Sequence, residues 1–259
     1  MKKIGIGLLV ILFIFGCAAT FKEKRVVSEP LVQLAINKIQ DNDLQGSLVA
    51  LTKALQTNPK DPEVHFYLAH VYFRMDKTGR ALEHAEKAII HGDKLGLEHP
   101  GMKSEAYNLK GSILSAQGDY EQSLVAFDKA LEDEFYSTPE YALYNIANVY
   151  IAQKKYDKAL TELKKSLEQN SHYAPAWEGM ARVYIQQGQY DNAIDALKHA
   201  ILEFPAFTEA HWKIAQIYIK IGNTNKAIYH LKEVVSLDKE GVFGALAEQR
   251  LQNLGVNTD

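Results

Sequence analysis

The segment Trp177–Pro205, WEGMARVYIQQGQYDNAIDALKHAILEFP, contains two stretches of helical hydrophobic periodicity on either side of Gly188. Shifting this segment by 34 residues in either direction brings similar residue types to the same places. Three positions show this clearly. Alanine returns at Ala147, Ala181 and Ala215, tyrosine at Tyr150, Tyr184 and Tyr218, and a second alanine at Ala159, Ala193 and Ala227. A repeat of this length, with a small residue at two fixed places, predicts pairs of antiparallel helices in close contact.

The period and the residue types are those of the tetratricopeptide repeat. The pattern predicts six units, at residues 28–61, 62–103, 104–139, 140–173, 174–207 and 208–241. Insertions lengthen the second and third units, at Gly96–Lys103 and at Thr138-Pro139. Residues 242–259 are predicted to form a capping helix and a tail, because the last unit of a stack exposes an apolar end. We therefore predict an all-α solenoid, wound as a right-handed superhelix.

The first sixteen residues have the pattern of a secretory signal peptide, with Lys2 and Lys3 before the apolar run Ile4–Gly16. This run is shorter than the 20 or so residues that a membrane-spanning helix requires. Ile14-Phe15-Gly16-Cys17 resembles the lipobox of bacterial lipoproteins, which predicts that Cys17 is lipidated. A plain signal peptide and an uncleaved anchor are the alternatives.

The residues after the predicted lipid, 17–27, are interpreted as a flexible tether, because they lack helical amphipathicity and are rich in charge. Position 18 is alanine and not aspartate, which by resemblance to enterobacterial sorting rules points to the outer membrane, facing the periplasm. A multi-chain lipid anchor supplies the two-signal attachment that stable membrane binding requires.

Composition and motifs favour binding over catalysis. The chain has 29 basic and 32 acidic residues, so it lacks the excess of positive charge that nucleic-acid binding needs. Cys17 is the single cysteine, and therefore no internal disulfide can form. The nine histidines are interpreted as surface or groove residues and not as metal ligands, and Glu132–Glu134 as a solvated face. We expect no enzyme activity, no cofactor and no small-molecule substrate.

The first helices of the units should line a concave groove, which is the predicted site for a protein partner. The predicted groove residues are Phe66, His70, Arg74, Asn108, Tyr144, Asn148, Arg182 and Trp212. Aromatic residues at one repeat position, Phe66, Tyr144 and Trp212, suit an extended peptide segment. The alternatives are that these aromatic side chains pack against neighbouring helices, and that binding uses the convex face or the loop at Gly96–Lys103.

A lipobox followed by six such units resembles the pilotins of type IV pili, the family often called PilF, PilW or Tgl. The junction LEDEFYSTPE, residues 131–140, is similar to an aromatic-x-x-Pro-Glu junction in that family. The resemblance implies an outer-membrane factor that binds the secretin and promotes its localisation and assembly. The alternative is a lipid-anchored adaptor for cell-wall enzymes or for outer-membrane protein assembly.

Overall fold

A computed structural model describes residues 20–256, and in this part of the chain all regular structure is helical. The helices are α1 Phe21–Gln40, α2 Leu44–Thr57, α3 Pro62–Arg74, α4 Thr78–His91, α5 Met102–Ala116, α6 Tyr120–Leu131, α7 Pro139–Ala152, α8 Tyr156–Gln169, α9 Ala174–Gln186, α10 Tyr190–Glu203, α11 Thr208–Lys220, α12 Thr224–Leu237 and α13 Val242–Asn253. Two short 3₁₀ helices, Gly92–Lys94 and Gly96–Glu98, lie between α4 and α5. Within residues 20–256, none of the helices combines the length and the apolarity needed to span a membrane. The predicted signal peptide and Cys17 lie outside the described residues.

Consecutive helices pack as six pairs, from α1 with α2 to α11 with α12, and each pair packs against the next. The predicted all-α solenoid is therefore confirmed. In each pair a small residue of the first helix lies against the second helix. Those residues are Ala35, Ala69, Gly111, Ala147, Ala181 and Ala215, all of them buried. In the third pair the Ser123 hydroxyl also donates a hydrogen bond of 2.8 Å to the Gly111 carbonyl.

Each turn between the two helices of a pair contains one residue in the left-handed region of backbone space. These residues are Asn42, Asp76, Gly118, Lys154, Gly188 and Gly222, with φ between 58° and 81°. Glycine adopts this conformation without steric cost, whereas a residue with a Cβ atom does not. The regular recurrence of this residue marks the six units independently of their hydrophobic pattern.

Helix α1 begins at Phe21, so the prediction of a flexible tether through residue 27 is wrong. Thr20 and Glu23 form a capping box: the Glu23 amide donates to the Thr20 hydroxyl at 3.3 Å, and the Thr20 amide donates to the Glu23 carboxylate at 2.7 Å. These two hydrogen bonds satisfy amide groups that the start of a helix otherwise leaves unpaired. Three residues, 18–20, remain between Cys17 and the helix.

The added turns of α1 are held in place by the N-terminal end of α3. Arg25 forms ion pairs with Glu63 at 2.7 Å and with Asp61 at 3.3 Å, and its side chain is 12% exposed. The Ser28 hydroxyl, which is fully buried, donates to the same Asp61 carboxylate at 3.2 Å. Partners more than 30 residues away leave no trace in the local hydrophobic pattern, and for this reason the pattern alone predicts a tether here.

The predicted capping helix is present as α13, which packs on α12 and α11. Ala247 and Leu251 of α13 join Leu231 and Val234 of α12 in one buried cluster, and Phe243 packs against it. The cap thereby covers the apolar end of the last unit, as a solenoid requires.

Lys154 should be the most strained of the six turn residues, because a lysine in the left-handed region costs about 1 kcal/mol more than a glycine. We expect Lys154→Gly to raise the free energy of unfolding by about 1 kcal/mol, measured by urea denaturation. Lys155→Gly is the matched control, since Lys155 has φ of −89° and the same charge. A gain of stability in the control equal to that of Lys154→Gly would contradict the strain argument.

Candidate functional site

The first helices of the pairs form the inner side of the stack. Helix α1 contacts α3, α3 contacts α5, α5 contacts α7, and α7 contacts α9. In a curved stack, the helices that stay in mutual contact lie on the concave side, where the spacing between units is shortest. The predicted groove therefore corresponds to the face formed by α1, α3, α5, α7, α9 and α11.

A cavity of about 490 Å³ opens in this groove between the second, third and fourth units. Its lining residues come from α3, α5, the junction 132–138 and the start of α7. They are Phe66, His70, Phe73, Glu105, Asn108, Leu109, Ser112, Tyr136, Thr138 and Tyr141. Three of the predicted groove residues, Phe66, His70 and Asn108, are thus brought together in one largely apolar pocket.

Two polar atoms of the cavity lining are buried without a hydrogen-bond partner in residues 20–256: the Tyr136 hydroxyl and His70 Nδ1. Tyr136 is 6% exposed, and burial raises the pKa of its hydroxyl to about 12 against a smaller opposing effect of the Thr138 side chain, so it remains a donor at neutral pH. Burial, with a smaller effect of Arg74, lowers the pKa of His70, which keeps its ring neutral. A buried polar group without a partner costs free energy, which a ligand's hydrogen bond recovers.

Asn145 joins the third and fourth units at the floor of the groove. Its amide nitrogen donates to the Asn108 side-chain oxygen at 3.0 Å and to the Ser112 hydroxyl at 3.3 Å. These hydrogen bonds fix the polar side of the cavity before any partner binds. Asn145 was not among the predicted groove residues, because its role depends on contacts between units.

The groove becomes charged in the fifth and sixth units, around the buried carboxylate of Glu178. Lys213 forms ion pairs with Glu178 and, at 2.7 Å, with Glu209, and Arg182 lies 3.1 Å from Glu178. Arg182 also donates a hydrogen bond to Asn148. The predicted groove residues Asn148 and Arg182 are therefore engaged with each other and lie outside the cavity.

The remaining predicted groove residues contact their own neighbours in the stack. Tyr144 packs edge-on against Tyr173, with ring centroids 5.7 Å apart. Trp212 lies beside the cap, 6.2 Å from the Phe243 ring. The three aromatics at one repeat position thus form no continuous stripe, and of these only Phe66 lines the cavity. Arg74 donates to the Ile39 carbonyl at 3.1 Å and to the Asn42 side chain at 2.7 Å, which ties the second unit to the first.

Two pairs of histidines lie inside units and not on the surface or in the groove, which corrects the interpretation of His65 and His211. His65 Nδ1 lies 2.9 Å from His84 Nδ1, and His211 Nδ1 lies 3.1 Å from His230 Nδ1. His65 Nε2 donates to the Pro59 carbonyl at 3.0 Å, so Nδ1 of the neutral ring accepts from His84. Residues 20–256 contain no cluster of three or more residues able to hold a metal ion.

Burial strongly disfavours protonation of these pairs. It lowers the pKa of His65 from its ordinary 6.5 to about 4, with smaller effects from the neighbouring His84, Lys87 and His91. It likewise lowers the pKa of His230 to about 4, and it shifts His84 and His211 in the same direction. Protonating the His65 ring would also place its Nδ1–H against the Nδ1–H of His84.

Comparison with known proteins gives relatives of the same architecture. A sequence profile of the tetratricopeptide repeat matches residues 114–183, 150–202 and 184–247, and a second one matches 50–83. The chain is 28% identical over 174 residues to an uncharacterised protein of Haemophilus influenzae, a match that covers 64% of this chain and 93% of that protein. It is 24% identical over 151 residues to the type IV pilus assembly protein PilF of Pseudomonas aeruginosa, across 58% of this chain and 57% of PilF.

Among solved structures, the crystal structure of PilW, a widely conserved type IV pilus biogenesis factor, superposes with a TM-score of 0.69. The two chains are 22% identical, and the match covers 85% of this chain and 97% of that chain. These comparisons confirm the resemblance to PilF and PilW that the lipobox, the repeat number and the junction at residues 131–140 suggested.

The histidine pairs generate a prediction about pH. Because unfolded His65 titrates near 6.5 and the folded residue near 4, the unfolded state binds more protons between these values. The free energy of unfolding should keep its full contribution from His65 above pH 6.5 and decrease as the pH drops towards 4. Below pH 4 it should change no further from this source. The loss from His65 should be about 2 to 3 kcal/mol, measured by urea denaturation across this range.

The first unit supplies a replacement for the pair, since Leu31 and Ala50 occupy the equivalent repeat positions. The double variant His65→Leu with His84→Ala should reduce the pH dependence by the contribution of this pair and leave that of the His211–His230 pair. His172→Gln is the control, because the His172 side chain is 80% exposed. An unchanged pH dependence in the double variant would show that the pair is not its source.

Proposed function

The chain belongs to the tetratricopeptide-repeat family, and we propose that it is a lipid-anchored scaffold that holds a partner protein in its groove during type IV pilus biogenesis. The observation that carries this proposal is the cavity between the second and fourth units, where apolar walls surround two hydrogen-bonding atoms without partners. Repeat solenoids use such extended concave surfaces for binding.

The cavity suits one apolar side chain of an extended segment from a partner. Phe66, Phe73 and Leu109 offer the apolar contact, and Tyr141, which is 44% exposed, stands at the rim. The Tyr136 hydroxyl offers a donor, and the neutral His70 ring offers Nδ1, to polar groups of the same segment. A pocket of this kind, apolar with a few fixed polar groups, is typical of an anchor point in protein recognition.

The proposed partner is the secretin of the pilus, whose outer-membrane localisation and assembly the protein would promote as a pilotin. The likeness to PilF, a type IV pilus assembly protein, and to PilW, a type IV pilus biogenesis factor, supports this choice. Co-purification of the detergent-extracted protein tests it: a secretin in the eluate supports the proposal. Recovery of cell-wall enzymes or of outer-membrane assembly factors would favour the adaptor role.

The proposed anchor is a lipid on Cys17, which would hold the scaffold on the periplasmic face of the outer membrane. We expect Cys17→Ser to abolish lipidation and to release the protein from the outer membrane, because stable attachment requires the buried lipid chains. Mass spectrometry of the mature N-terminus measures this directly. An unmodified Cys17, or an intact Met1 start, would rule out the anchor.

The cavity generates a prediction in which stability and binding change in opposite directions. Tyr136→Phe removes a buried hydroxyl that has no partner in residues 20–256, so the free protein should be unchanged or more stable. If the partner accepts a hydrogen bond from this hydroxyl, the same variant should weaken association by about 1 to 2 kcal/mol. Calorimetric titration with the secretin and urea denaturation give the two quantities.

Phe66→Ala should weaken association by about 2 kcal/mol or more, as expected for an apolar anchor. Tyr229→Ala is the matched control, because Tyr229 is an aromatic residue of α12 that is 58% exposed outside the groove. Full affinity of folded Phe66→Ala and Tyr136→Phe proteins would place binding elsewhere, on the convex face or at Gly96–Lys103.

A further inference from the structure

A basic pocket lies at the end of the solenoid where the chain enters α1. Three segments meet there: Phe21 and Lys24 of α1, the Asn58–Lys60 turn between α2 and α3, and Lys94 in the first 3₁₀ helix. They enclose an open cavity of about 430 Å³. Lys94 Nζ lies 6.0 Å from the centre of the Phe21 ring, which places a cation over an aromatic face.

The three lysines of this pocket have no carboxylate within ion-pair distance in residues 20–256. Several acidic side chains outside the lining have other partners. Those pairs are Asp61, Glu63 and Glu98 with Arg25, Asp93 with Lys103, and Glu23 with the Thr20 amide. The lining of the pocket itself contains three lysines and no acidic residue, so the lining is positively charged.

The fold holds these charges together despite their repulsion. The buried Asn58 side chain donates to Asp61 at 3.2 Å, and the Pro59 carbonyl accepts from His65 at 3.0 Å, so the turn that carries Lys60 is fixed. Burial, and after it the charge of Lys60, lowers the pKa of Lys94. A fixed cluster of cations in a pocket whose lining holds no carboxylate favours an anionic ligand.

The position of the pocket relative to the proposed anchor indicates which anion is available. Phe21 follows Cys17 by four residues, and a fully extended chain of that length spans at most about 14 Å. A lipid on Cys17 would therefore hold the pocket close to the phospholipid headgroups. At physiological ionic strength the surface charge of a membrane acts over about 8 Å.

We propose that Lys24, Lys60 and Lys94 bind the phosphates of anionic phospholipid headgroups, so that the first two units dock on the membrane beside the lipid anchor. This inference rests on the anchor of the proposed function and is independent of what the groove binds. Docking at this end would fix the orientation of the solenoid on the membrane, whereas a flexible tether would leave it free to rotate.

Lysine acetylation of the full lipidated protein in vesicles tests this proposal residue by residue. The protein is reconstituted in phosphatidylcholine vesicles with or without phosphatidylglycerol, and acetylation rates are read by mass spectrometry. Acetylation of Lys24, Lys60 and Lys94 should be about fivefold slower in the anionic vesicles. Lys232 and Lys239, exposed residues at the far end of the stack, should react equally in both.

In the double variant Lys60→Gln with Lys94→Gln, the protection of Lys24 should be lost, with circular dichroism as the folding control. Equal acetylation of the parent lysines in both vesicles would overturn the proposal. Protection by inorganic phosphate in pure phosphatidylcholine vesicles, without an effect of phosphatidylglycerol, would identify a site for a small anion and overturn membrane docking.

The outcomes separate the proposal from the function on which it rests. If Cys17 carries no lipid, the protein fails to float with phosphatidylcholine vesicles, and both the anchor and the docking are overturned. If the protein floats with both vesicles but its lysines react equally, the docking alone is overturned. Neither result changes the affinity of the groove for a partner, which is measured without a membrane.

Discussion

The close contact between the two helices of each unit determines the rest of the structure. At this contact Ala35, Ala69, Gly111, Ala147, Ala181 and Ala215 are buried against the second helix. A larger side chain there would push the helices apart, and overpacking of this kind costs about 1 to 3 kcal/mol. Because every unit uses the same contact, every unit leaves the same apolar face for its neighbour, and the stack, the groove and the need for a cap all follow.

The proposed binding surface arises where the repetition is broken. The junction after α6 is lengthened, and it places Tyr136 against Ala130 and Ala142 with its hydroxyl buried. The result is a cavity between the second and fourth units, whereas ion pairs of Glu178 with Arg182 and Lys213 occupy the groove between the fifth and sixth units.

The repeat pattern was sufficient to predict the helices, their pairing and the cap, since these depend on residue types at fixed spacing. It does not predict features that depend on contacts between residues far apart in the sequence. The first turns of α1 depend on Arg25 reaching Asp61 and Glu63, and Tyr136 reaches the cavity through the shape of a loop. Phe66, Tyr144 and Trp212 share one repeat position, but their surroundings differ. Phe66 lines the cavity, Tyr144 packs against Tyr173, and Trp212 lies beside Phe243. Periodicity indicates which face of a helix a residue lies on, but it does not indicate which residues of other helices lie beside that face.

Site-specific photo-crosslinking in living cells tests most directly whether the cavity is where a partner binds. A photoreactive amino acid replaces either Ser112, which lines the cavity, or Val125, which is 58% exposed on the second helix of the same unit. The account predicts a crosslink to the secretin from position 112 and none from position 125. A secretin crosslink from position 125 alone would contradict it.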